Sequence, residues 1–250
     1  MFDLGNRTAL VTGAATGLGQ ATAAALARAG AKVAVSDRPG VSLGETVALC
    51  EDCGNRSFAV ELDVRDLDQT CESIAAVESE FGHVDILVNN AGINRPTPAL
   101  DVDRKNWDDH FNTNVRGGFF CARAVVPKMI ERKFGRIIFI SSQSGLIGIP
   151  GQSVYCASKG AVINLVRTLG VEWAKHQITV NSVAPTFVET DLTRKRLQDP
   201  KFRRFVLSKI PRGELAAPED VAWAVVYLAS DEAGMVNCVN LPVDGGWTAW

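Results

Sequence analysis

The chain has 250 residues, 46% of them hydrophobic and 22% charged, with a formal net charge of −2. That length suffices to bury a core without disulfides or metals, and Lys and Arg are spread out rather than gathered into the basic stripe of a nucleic-acid binder. No stretch approaches the run of about 20 apolar residues that crosses a bilayer, and the first seven residues lack the basic-then-apolar order of a signal peptide. A cytoplasmic protein with neither membrane nor nucleic-acid partners is expected.

Thr8–Thr12 is a short apolar run ending at Gly13 and reads as a buried strand. Alanine-rich sequence without proline, from about Gly17 to Ala29, predicts a helix. Lys32–Ser36 is a second strand, with Asp37 at its end. The alternation recurs: strand over 56–62, helix over 67–81, strand over 84–88, two helical stretches between 103 and 133, and strand over 136–141. A helix over about 153–175, a strand over 178–183, a helix over 218–229 and a last strand over 239–243 complete it. The strands are continuously apolar rather than alternating, which implies burial on both faces and a parallel sheet covered by helices. The fold class predicted is therefore α/β, a doubly wound parallel sheet of Rossmann type in one domain. Thr186 to about Gly213, charged and containing Pro200 and Pro211, reads as irregular and suits a substrate lid.

Cys50 and Cys53 form a lone Cys-x-x-Cys pair, and the three histidines are scattered. A zinc site needs four converging N or S ligands, or three and a water, so no metal is expected. The turn after the first strand is Thr12-Gly13-Ala14-Ala15-Thr16-Gly17-Leu18-Gly19. Glycines there let a backbone approach a pyrophosphate, and the helix starting near Gly17 points its free N–H groups at that anion. Asp37 lies about 20 residues further on, where a carboxylate accepts from both ribose hydroxyls and repels a 2′-phosphate. NAD is favoured over NADP, with Arg38 as the one counterweight.

Tyr155 and Lys159 are four residues apart on one helical face. A cation beside a phenol favours the phenolate, which suits proton exchange with an alcohol during hydride transfer. Ser142, at the end of the preceding strand, can face the same pocket.

These residues resemble the classical short-chain dehydrogenase/reductase family over nearly the whole chain. The likeness rests on Thr12-Gly13-x-x-x-Gly17-x-Gly19, Asn89-Asn90-Ala91-Gly92, Asn114, Ser142, Tyr155-x-x-x-Lys159 and Val243-Asp244-Gly245-Gly246. The resemblance implies that Tyr155 is the proton donor or acceptor and that Ser142 hydrogen-bonds the substrate oxygen. It implies that Lys159 lowers the tyrosine pKa and holds the nicotinamide ribose, while Asn114 positions a water that relays protons. It places coenzyme contacts on Gly13, Thr16, Gly17, Leu18 and Gly19, on Asp37, Asp63 and Val64, and on Asn90, Ala91 and Gly92. Further contacts fall on Tyr155 and Lys159 and, after the sixth strand, on Pro185, Val188 and Thr190. Two departures stand out: the usual Pro-Gly is Pro185-Thr186, and the usual Thr-Gly before the last strand is Asn237-Cys238.

Substrate contacts are expected from Asn94, Arg95, Ser142, Ser144, Gln152 and Tyr155, with Gln143, Phe187 and Glu189 as further candidates. For Arg95, an ion pair with Asp101 or Asp103 is the competing reading. This polar set suits a hydroxylated substrate, and the chain's ending looks similar to bacterial sugar, sugar-acid and polyol dehydrogenases of the family. The alternatives are a 3-oxoacyl thioester reductase and a catalytically silent nucleotide-binding protein. Apolar excess on the helices over 117–133 and 153–175, together with the resemblance, predicts a homotetramer, with a dimer as runner-up. Trp247 and Trp250 are expected at an interface.

Overall fold

A computed structural model describes residues 2–249. Seven parallel strands form one sheet in the order β3-β2-β1-β4-β5-β6-β7: β1 (Thr8–Thr12), β2 (Lys32–Asp37), β3 (Ser57–Glu61), β4 (Ile86–Asn89), β5 (Gly135–Ile140), β6 (Ile178–Pro185) and β7 (Asn240–Val243). Successive strand side chains point to opposite faces, and here both faces are apolar. Ala9, Val11, Val33, Val35, Ile138 and Val183 pack beneath α1 (Gly17–Arg28), α2 (Gly44–Glu51) and α9 (Pro218–Ala229). Leu10, Ala34, Leu87, Ile137, Phe139 and Val180 pack beneath α3 (Leu67–Phe81), α5 (Gly118–Arg132) and α6 (Ser153–Trp173). The continuous apolar strands of the sequence are thus explained by two separate cores.

The strand order reverses between β1, which pairs with β2, and β4, which pairs with β1 on its other edge. Ligands of open parallel sheets bind at this switch point, beyond the strands' carboxyl ends. Thr12 fastens the two ends together. Its Oγ1 donates to Val88 O at 3.3 Å and accepts from the N–H groups of Asn90 and Ala91, each at 3.1 Å.

Three features differ from the sequence reading. Residues 44–51 form α2, a short helix whose weak apolar periodicity concealed it. The helical stretch from 104 is one rod in three parts: α4 (Arg104–Phe111), a wider π turn over Asn112–Gly117, and α5. The expected irregular lid holds two helices, α7 (Asp191–Leu197) and α8 (Pro200–Lys209). Pro200 opens α8 rather than breaking it, because Asp199 caps the helix through Lys201 N and a first-turn proline loses no hydrogen bond. Leu197, Val206, Ile210 and Trp247 form a third small core with Phe187 and Phe202. Trp247 stacks on Phe187 at 5.8 Å between ring centroids, so its packing partner lies in its own chain; Trp250 lies outside the described residues.

The Asn237-Cys238 departure makes a bracket. Asn237 Oδ1 accepts from Val180 N at 2.8 Å, and its Nδ2 donates to Gly170 O at 2.9 Å. Cys238 holds a left-handed φ of 62°, a conformation that glycine adopts at no cost. The asparagine side chain fastens the turn that Cys238 strains. Among the described residues no helix is long and apolar enough to cross a membrane.

Candidate active site

A cleft of about 550 Å³ runs along the carboxyl ends of the strands. One end is lined by Asp37, Arg38, Asp63, Val64 and Arg65, the middle by Gly13, Thr16, Gly17, Leu18, Asn90, Ala91 and Gly92. The far end is lined by Ser142, Tyr155, Lys159, Pro185, Thr186, Val188 and Thr190. Sequence-distant candidates therefore meet on one continuous surface.

The glycine turn tolerates no side chain at two points. Gly13 has φ 64°, and a Cβ there would stand 2.8 Å from Ala91 Cα. At Gly19 a Cβ would stand 2.1 Å from Gly13 O. Asn90 locks this turn to β4 by donating from Nδ2 to Thr12 O at 3.0 Å and Gly13 O at 2.8 Å. Thr46 and Gln20 brace it from beneath: Thr46 Oγ1 donates to Ala14 O, and Gln20 Nε2 donates to Ala15 O. The N-terminus of α1 is left open to the cleft, as an anion site requires.

Asp37 is fixed by backbone donors, Ala15 N to Oδ2 at 3.2 Å and Arg38 N to Oδ1 at 2.8 Å. The Arg38 side chain is 65% exposed, with Nε 3.9 Å from Asp37 Oδ1. Asp63 accepts from Arg65 Nε at 2.9 Å and from its NH2 at 2.6 Å, and this hydrogen-bonded guanidinium holds the carboxyl below its usual range.

At the far end, Lys159 is almost wholly buried, and its ammonium donates to Ile140 O at 2.7 Å. Burial pulls its pKa down to about 8. Tyr155, half-buried and facing the cleft, is pushed by burial up to about 12, offset in part by the Ser142 hydroxyl hydrogen-bonded to it. The phenol's shift follows from its own burial, and Lys159 is not among its causes. Its ammonium is held by the Ile140 carbonyl, and Nζ stands 5.7 Å from the phenol ring centroid. Desolvation outweighs the distant cation.

Asn114 sits in the wider turn, buried. Its Oδ1 accepts from Ile93 N at 2.8 Å, and Nδ2 donates to Ile93 O and Ser158 Oγ, each at 3.0 Å. The amide is thus engaged in joining the segment after β4 to α6. Ser142 Oγ accepts from Ser144 N at 3.1 Å.

The substrate candidates divide. Arg95 lines the cleft, but its guanidinium is paired with Asp109, which Lys105 also binds; the partner is neither Asp101 nor Asp103. Asn94 Nδ2 donates to Gln152 Oε1 at 3.1 Å, leaving Asn94 Oδ1 and Gln152 Nε2 buried and unpaired. Gln143 is buried with both amide atoms unpaired. Neither these three nor Ser144 lines the cleft. Phe187 belongs to the lid core, and Glu189 pairs with Arg203 at 3.3 Å. His110 escaped the sequence reading because a lone histidine carries no pattern. It is buried, accepts from Arg95 N at Nε2 (3.2 Å) and donates from Nδ1 to Asn106 O (2.8 Å), which fixes the ring edge-on to Tyr155.

Residues 13–248 match the family profile described as enoyl-(acyl carrier protein) reductase. A gluconate 5-dehydrogenase of Gluconobacter oxydans is 38% identical over 248 residues, covering 99% of this chain and 97% of the relative. The chain belongs to the short-chain dehydrogenase/reductase family. It is an NAD(P)-dependent oxidoreductase acting on CH–OH groups. A 3-oxoacyl-(acyl-carrier-protein) reductase of Thermotoga maritima is 39% identical over 243 residues, covering 97% of this chain and 98% of that one. The crystal structure of a gluconate 5-dehydrogenase from Burkholderia cenocepacia, in complex with NADP and tartrate, superposes with a TM-score of 0.96 at 34% identity. It covers 100% of this chain and 98% of that one.

Proposed function

We propose that the protein is an NAD-preferring dehydrogenase of a sugar, sugar acid or polyol. The observation that carries this reading is one continuous cleft joining a phenol, a hydroxyl and a buried ammonium to a glycine turn and a fixed carboxylate. The glycine turn and the open α1 terminus suit a pyrophosphate, and Asp37 suits an unphosphorylated ribose. When bound, the coenzyme supplies the hydride acceptor or donor.

The chain's own residues handle the proton and the geometry. Tyr155 gives a proton to, or takes one from, the substrate oxygen, and Ser142 hydrogen-bonds the same oxygen and orients it. Lys159 offers the nicotinamide ribose its two remaining N–H donors, and an anionic ligand in the cleft favours its charged form. Asn114 holds Ile93 against Ser158 and so keeps the floor of the cleft in register with α6. Residues 186–213 act as a lid over the substrate.

The Gluconobacter relative is named for a sugar acid, which supports the substrate class. The Thermotoga relative, at similar identity, is named for a thioester, which makes 3-oxoacyl reduction the second reading. A panel of sugars, aldonates, polyols and 3-oxoacyl thioesters, followed by absorbance of the reduced nicotinamide with both coenzymes, separates them. Turnover of a hydroxylated substrate with NAD is expected; turnover of the thioester alone, with NADPH, would reverse the reading. We further propose a homotetramer built through α5, α6 and the last strand. A monomer mass by light scattering at micromolar concentration is the result against it.

A further inference from the structure

Thr186 is the departure for which the proposed chemistry finds no use. It follows Pro185 at the end of β6, where the family usually carries glycine. Its N–H donates to Val243 O at 3.0 Å, so the backbone continues the strand pairing, and its φ is not in the left-handed region. Threonine is therefore accommodated without backbone strain. The residue is 8% exposed and lines the cleft between Pro185 and Val188. Its Oγ1 is buried and has no hydrogen-bond partner.

The neighbouring hydroxyl behaves differently. Thr193 donates to Val188 O and accepts from Thr190 N. A β-branched side chain has few rotamers to choose from, and a buried polar atom without a partner is destabilising wherever a ligand does not complete it. Such an atom on the wall of a ligand cleft points to a ligand group. A hydroxyl both donates and accepts, so it can pair with either end of an amide.

We infer that the Thr186 hydroxyl is a hydrogen-bonding contact for the carboxamide of the nicotinamide, and so a determinant of coenzyme affinity at that end of the cleft. The assignment rests on the reading of this cleft as the coenzyme site. Thr186 shares its wall with Pro185, Val188 and Thr190, coenzyme contacts by the family resemblance, at the end of the cleft where Lys159 is proposed to meet the nicotinamide ribose, whereas the substrate oxygen is served by Ser142 and Tyr155. Its oxygen is closed off from the surface, so the contact forms by a small yielding of this wall on loading. The base of the lid leans across the same opening. A Cβ at Gly17 would lie 3.3 Å from the Thr190 side chain.

The test compares two ligands that differ in the nicotinamide. Dissociation constants for NADH and for ADP-ribose are measured by calorimetry on the parent, on Thr186→Val, which keeps the shape and loses the hydroxyl, and on Thr186→Ser, which keeps the hydroxyl. Thr186→Val is expected to weaken NADH by about three- to tenfold, to leave ADP-ribose within about twofold, and to melt no lower than the parent without ligand. Thr186→Ser is expected to bind NADH like the parent. Unchanged NADH binding by Thr186→Val overturns the inference, as does an equal loss for ADP-ribose. A parent that binds neither ligand overturns the coenzyme reading itself, which is a separate failure.

Discussion

The two ends of the cleft treat charge in opposite ways. Near Asp37 and Asp63, each carboxylate has its partners in place: backbone N–H groups for one, a guanidinium for the other, with Arg38 largely in water. Near Tyr155, a cation is buried against a carbonyl, and among the described residues no carboxylate pairs with it. The first arrangement can discriminate between ligands at little cost to folding. The second buries an ammonium whose charged form costs stability, and it keeps a phenol beside it away from its ordinary ionisation, ready for a ligand that changes the balance.

The largest effect is expected at the chemical end. Tyr155→Phe should lose about 10²–10⁴-fold in turnover, the usual contribution of a general acid or base, while its dissociation constant for coenzyme stays within a few-fold. Steady-state kinetics with binding titration checks this, and turnover close to the parent's would move the proton to another group.

A smaller effect is expected at the other end. The parent should prefer NAD in kcat/KM by at least about tenfold, since a 2′-phosphate beside Asp37 brings two anions together. Asp37→Ala should erode that preference by leaving Arg38 free for the phosphate, and a double variant with Arg38→Ala should use both coenzymes poorly. Equal use of both by the parent would mean that Arg38 governs the pocket.

The smallest effect is expected on stability, at Lys159. Lys159→Met removes the buried charge and keeps a chain of similar length, so it should stabilise the protein by about 1–3 kcal/mol at pH 7. The folded-state pKa of about 8 lies below the ordinary 10.5. Between these values the unfolded chain holds the extra proton, so parent stability rises with pH across that window and the gap to Lys159→Met should close. Denaturation at pH 7 and pH 10 measures both, and a parent more stable than the variant at pH 7 would show that the cation is compensated.

What could be read beforehand follows the same division. The glycine turn, Asp37 and the Tyr155–Lys159 pair are short patterns with a local physical reason, and the continuous apolar strands announce the two cores. The ionisation of Tyr155 was not legible, because it depends on how deeply the phenol is buried and on the Ser142 hydroxyl beside it. The partners of Arg95 and Glu189 were not legible either, since Asp109 and Arg203 reach them through helix packing. The lid helices were hidden by charge and by prolines whose meaning depends on a cap one residue earlier.

The wider turn over Asn112–Gly117 acts as a phase offset in an otherwise continuous rod. An α-helix advances about 100° per residue, so one residue more or fewer there rotates everything before it by nearly a third of a revolution about the axis. The segment that carries Trp107 and His110 is thereby aimed independently of the α5 face that the sheet core requires. A single-residue deletion in this turn would leave the rod helical and its sheet contacts intact. It would swing His110 away from Arg95 and Tyr155 and displace Thr113, which lines the cleft from within the same turn.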